Sequence, residues 1–95
     1  MKIADLHTSD QAVSAIKLST EIFSSAIAIH LKAKAVLDKH LTKTPALVMC
    51  IIGKTIFENE KGQKQVLFPG DYVNIEPHVL HWLTAQLDSQ LVLLK

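Results

Sequence analysis

The chain has no arginine: all ten of its basic residues are lysines, and nine acids leave a net charge of +1. A forked guanidinium is the preferred grip on phosphate and carboxylate, so a site built for those anions is not indicated. Nucleic-acid binding asks for a concentrated basic face. Lys32, Lys34, Lys39 and Lys43 form only a modest group, which reads as the solvated side of a strand and turn. Cysteine is nearly absent. Cys50 is the only one, so no intrachain disulfide is possible, and its place inside Leu47–Ile52 suits a small buried hydrophobe. Nothing beside it in the sequence would lower a thiol pKa. Aromatics make up 5% of the residues, so the core must be aliphatic. The longest apolar run, Ala46–Ile52, falls far short of the about 20 residues that span a bilayer. The stretch Met1-Lys2-Ile3-Ala4-Asp5 lacks the apolar centre of a signal peptide. Neither nucleic acid nor membrane is expected as a partner, and a cytoplasmic location is.

What is present is apolar material in short, punctuated pieces. An apolar fraction of 48% in 95 residues is enough for one core and one domain over residues 1–95, with 1–11 as an irregular extension. Glycine and proline number three each, and none precedes Pro45. The first half is therefore the harder to parse. Ala12–Leu18 suits a strand or the end of a short helix. In Ser25–Lys32, Ile27, Ile29 and Leu31 alternate with Ala26, Ala28 and His30, a half-buried strand pattern. A helix over Glu21–Asp38 competes, with Ile22, Ala26, Ile29, Ala33 and Val36 on one face. Local signals leave the two open.

The second half is clearer. Ala46–Ile52, bounded by Pro45 and Gly53, reads as a buried strand. Lys54–Glu58 and Lys64–Phe68 form a hairpin around Asn59-Glu60-Lys61-Gly62. A Pro69-Gly70-Asp71 turn leads to Tyr72–Ile75, and Glu76-Pro77-His78 leads to His81–Ala85; Gln90–Leu94 is a last apolar strand. Many short strands with regular turns indicate an all-β barrel or sandwich.

Two stretches, His40 to Gly53 and Gly70 to Ala85, resemble the two motifs of the cupin superfamily. The first family motif is a His-x-His pair followed by a glutamate and a glycine. Anchored on Gly53, it puts His40 at the first histidine, Thr42 at the second and Ala46 at the glutamate. The second motif runs from a glycine through Pro-x-Gly to a histidine and an asparagine. Anchored on Gly70, it puts Glu76 at the proline, His78 at the glycine, His81 at the histidine and Ala85 at the asparagine. The segment His40-Leu41-Thr42-Lys43-Thr44-Pro45 looks like small stand-alone cupins.

The resemblance implies an all-β, single-domain cupin barrel (a double-stranded β-helix or jelly roll) and tips Ser25–Lys32 toward strand. It implies a pocket lined by His40, Thr42, Ala46, Val48, Cys50 and His81. Only His40 and His81 could ligate a metal, so a divalent ion (zinc, iron, nickel or manganese) would be held weakly, short of a catalytic set. Glu76 and His78, in a rim turn, are expected to face solvent, and His30 to be a surface or hydrogen-bonded histidine. Trp82 follows His81 and should point outward, where a second copy would cover it, as it would the alanine face of the early strand. The expected function is a homodimer that binds an unidentified small molecule near His40 and His81. The alternative is a metal-dependent cupin isomerase or oxygenase that uses the same two histidines.

Overall fold

The computed structural model describes residues 2–8, 10–17 and 25–95. After a single 3-10 turn at Ile3–Leu6 come β1 (Val13–Lys17), β2 (Ala26–Leu31), β3 (Val36–His40), β4 (Ala46–Ile52), β5 (Thr55–Asn59), β6 (Lys64–Leu67), β7 (Tyr72–Ile75), β8 (His81–Ala85) and β9 (Ser89–Leu94). They form a five-stranded sheet in the order β1-β2-β9-β4-β7 and a four-stranded sheet in the order β3-β8-β5-β6. Every pairing is antiparallel. Two such sheets, each apolar on its inner face, bury that face against one another.

The contest over Ser25–Lys32 resolves as a strand. β2 pairs with β1 on one edge and β9 on the other, so its backbone groups are satisfied between sheets' neighbours and not along a helix axis. Ile29 and Leu31 enter the core and Ile27 packs against it, while Ala26, Ala28 and His30 take the opposite face. The chain then turns through Lys34, at φ 73°, before β3. Ala12–Leu18 is likewise a strand over Val13–Lys17; Leu18, Glu21 and Ile22 lie outside the described residues.

The later strands follow the predicted spans to within a residue or two. Asn59 shapes the β5–β6 hairpin: its Oδ1 accepts from the backbone N–H groups of Lys61 (3.0 Å) and Gln63 (3.1 Å). Ala46, Val48 and Cys50 point inward together with Phe57, Leu67, Val73, Ile75, Leu83, Leu91 and Leu93. Phe57 is the one aromatic of that cluster, so the core is aliphatic around a single ring. Among the described residues no helix is long and apolar enough to cross a membrane.

Candidate functional site

The site is created by a bulge. β3 and β8 run in register as Val36↔Thr84 and Leu37↔Leu83, but the next partners are His40↔His81. The extra residue on β3 re-aims everything after it. Without it Lys39 would stand opposite His81, and His40 would project to the outer face. Asp38 supports the irregular backbone: its Oδ1 accepts from the N–H of Lys39 at 2.7 Å, and its carbonyl accepts from His40 Nδ1 at 3.0 Å. Aspartate is a poor strand residue because its side chain competes for backbone donors, and here that competition builds the bulge.

His40 and His81 meet with ring centroids 4.2 Å apart at 60°. His81 is buried and its ring stacks on Phe57 at 5.8 Å. His40, half-buried, is the outer member of the pair. A carbonyl can only accept, so each short contact to a carbonyl fixes a tautomer. Nδ1 of His40 donates to Asp38, and Nδ1 of His81 donates to Val79 at 3.3 Å. In both neutral rings Nε2 is therefore the lone-pair nitrogen. Burial first, and then the neighbouring His40, push the His81 pKa below its ordinary value of 6.5; the Val79 carbonyl opposes this weakly.

That shift sets a sign for stability against pH. Unfolded His81 takes up a proton near pH 6.5, whereas folded His81 resists until lower pH. Its contribution is fully present above the unfolded value and is lost as pH falls toward the folded one. Urea midpoints are expected to fall from pH 8 to pH 5.5, and to fall less steeply in His81→Leu. An equal slope in the two proteins would remove His81 as a cause.

The other expected site residues divide. Thr42 is buried, its hydroxyl donates to the Thr44 carbonyl at 2.8 Å, and it borders a hollow of about 550 Å³ with Leu41, Lys43, Thr44, Ser25 and Lys95. Thr42 follows His40 by two residues, which puts this hollow next to the His40 end of β3. Ala46 borders a second hollow of about 460 Å³ as well as the core. Val48 and Cys50 are core residues with no exposure. Burial, and then Asp71, raise the Cys50 thiol pKa, so it stays protonated. His78 is exposed at φ 64° and its N–H donates to the Thr42 carbonyl at 2.8 Å, while Glu76 pairs with Lys61 at 2.7 Å in solvent. Trp82 is half-buried under Lys39, whose Nζ lies 5.1 Å from the ring centroid.

The metal expectation can be tested on these donors. Both Nε2 atoms suit a cation, since each ring is oriented by a carbonyl on its other nitrogen. The set stops there: the Thr42 hydroxyl is committed, Ala46 has no donor, and among the described residues no three of His, Cys, Asp and Glu converge. Two imidazoles fall short of a catalytic set. Sequence reasoning missed Asp38, whose role depends on register, and Lys95, which reaches the site only through the topology. It also missed His7, which lies in the segment expected to be irregular and meets His30 with ring centroids 5.6 Å apart.

Solved structures share this architecture at low identity. A cupin superfamily protein from Desulfitobacterium hafniense matches 96% of this chain and 83% of its own, with a TM-score of 0.82 and 12% identity. KdgF from Halomonas sp. matches 94% of this chain and 85% of its own, with a TM-score of 0.74 and 21% identity. The cupin domain of Drosophila melanogaster CENP-C matches 90% and 71%, with a TM-score of 0.78 and 16% identity. No family model and no curated protein matches the sequence. The chain has the fold of the cupin barrels.

Proposed function

We propose that this cupin is a homodimer that binds a small ligand at the histidine end of the barrel, without a complete catalytic metal set. The observation that carries this reading is the pair of fixed tautomers at His40 and His81. The two rings meet, each with Nε2 as its lone-pair nitrogen, and Thr42, two residues past His40, borders a hollow together with Lys95. Such a site favours a molecule that brings hydrogen-bond donors, hydroxyl or ammonium groups, over an anion. The absence of arginine agrees with that preference.

Dimerisation is supported by the outer face of the five-stranded sheet. Registered pairs put Leu47, Met49, Val92 and Leu94 side by side there, with Tyr72 next to Met49. Leu94 is 41% exposed and Tyr72 55%, an apolar surface that a second copy would cover.

Long-range 1H–15N spectra of the imidazole rings test the reading directly. Both rings are expected as Nδ1–H tautomers near pH 8, and both Nε2 resonances are expected to move when glycerol, ribose or glucose is titrated in. His81→Leu should abolish the response. A proton on Nε2 of either ring, or no response to any of the three, would overturn the ligand reading. A sedimentation mass of one chain at micromolar concentration would overturn the dimer.

A further inference from the structure

A second cluster of polar side chains lies on the outer face of the five-stranded sheet, at its β1–β2–β9 end. Antiparallel register pairs Ser14 with His30 across β1 and β2, and His30 with Gln90 across β2 and β9. Directly paired residues project to the same face, so Ser14, His30 and Gln90 form a row. The 3-10 turn at Ile3–Leu6 delivers His7 onto this row. Its Nδ1 lies 2.8 Å from Ser14 Oγ, and its ring centroid is 5.6 Å from that of His30.

Among the described residues, three buried side-chain polar atoms have no hydrogen-bond partner: His7 Nε2, Gln90 Oε1 and Thr55 Oγ1. The first two belong to this row. A buried polar atom left unsatisfied is destabilising, so two in one cluster point to something that satisfies both. In the tautomer where Ser14 Oγ accepts from Nδ1–H, Nε2 of His7 is a bare lone pair, and an amide oxygen is a lone pair in any state. A Lewis acid answers both at once.

We propose that His7 Nε2, a ring nitrogen of His30 and Gln90 Oε1 bind one divalent transition-metal ion, with Ser14 holding the His7 tautomer. Imidazole nitrogen and amide oxygen suit zinc, nickel or cobalt. A zinc ion lies about 2.0–2.1 Å from a ligating nitrogen, hence roughly 3.2 Å from the ring centre, and two rings at a ligand angle of about 110–120° then have centroids roughly 5.2–5.5 Å apart. The observed 5.6 Å is close to that range. Ser14 supplies the outer hydrogen bond that orients a ligating histidine. Lys32, further along the same face, is neutralised by Asp10 at 2.8 Å. The site is separate from His40 and His81, which lie on the four-stranded sheet between the layers.

Zinc, nickel and cobalt binding, followed by calorimetry and by the rise in melting temperature, tests the assignment. Zinc is expected to bind one per chain in wild type and equally in the His40→Ala/His81→Ala double variant. Affinity should fall at least tenfold in His7→Ala and in His30→Ala. Gln90→Glu separates a ligand from a structural residue: the metal-free protein should melt lower, while zinc affinity rises. Zinc should also move the 15N signal of His7 Nε2. The proposal fails if none of the three metals binds, if binding survives both single histidine variants, if it is lost with His40 and His81, or if Gln90→Glu binds no more tightly.

Discussion

Gly53→Ala is expected to lower stability by about 2–5 kcal/mol, and most of the loss is steric. The residue holds φ +96°, where an L side chain costs about 1–2 kcal/mol. A Cβ there would also lie 2.5 Å from Ser89 Oγ and 2.8 Å from Ser89 Cα, and would collide with the Asp88 carbonyl. Two of those three neighbours are backbone, so little can give way, and forced overpacking adds about 1–3 kcal/mol. Ser89 is held in turn. It accepts from the Lys54 N–H at 3.1 Å and donates to the Leu87 carbonyl at 2.8 Å, so the clash spreads into the junction of β4, β5 and β9. Gly62→Ala is the matched control: φ is +85° but nothing lies within 4 Å, so only the backbone cost applies. Urea unfolding should separate the two variants by more than about 1 kcal/mol. Equal losses would show that the contacts around Gly53 are not what the position requires.

Phe57→Ala should destabilise by a similar amount, about 3–5 kcal/mol for an aromatic ring removed from a core. Its second effect reaches the site. The Phe57 ring is 5.8 Å from His81 at 28°, so it helps to exclude water from the imidazole. Burial is the leading cause of the depressed His81 pKa. With the ring gone, water or a relaxed backbone should raise that pKa toward 6.5, read as a shifted NMR titration of His81. Phe57→Leu keeps most of the volume and should keep most of the shift. A large stability loss with no movement of the His81 titration would mean that other walls of the barrel desolvate it.

Most of the second half of this fold was legible because its punctuation is local. Pro45 and Gly53 bound β4, Asn59 and Gly62 mark a hairpin, and Pro69-Gly70 ends β6; each acts through its own backbone angles. Alternation gave β2 its true face, yet could not exclude a helix, because Ala, Leu and Lys favour one and the deciding contacts are with distant β9. β3 had no clear signal: it is mostly exposed and carries Asp38 and Lys39. The histidine pair was anticipated through motif spacing, and the strands do bring His40 and His81 into contact. Their tautomers were not readable, since these are set by two backbone carbonyls. The row of His7, Ser14, His30 and Gln90 was invisible for a similar reason: three strands and a turn assemble it, and no segment of sequence contains it.

The bulge in β3 makes the histidine pair a matter of counting. A relative with the same residues on β3 and β8, but one fewer between Leu37 and His40, would keep an alternating strand and present its imidazole to solvent. Comparing residue types column by column would score those two proteins as nearly alike, and a single gap would mark the difference. In barrels as divergent as these, the placement of a one-residue gap therefore says more about a shared pocket than percentage identity does.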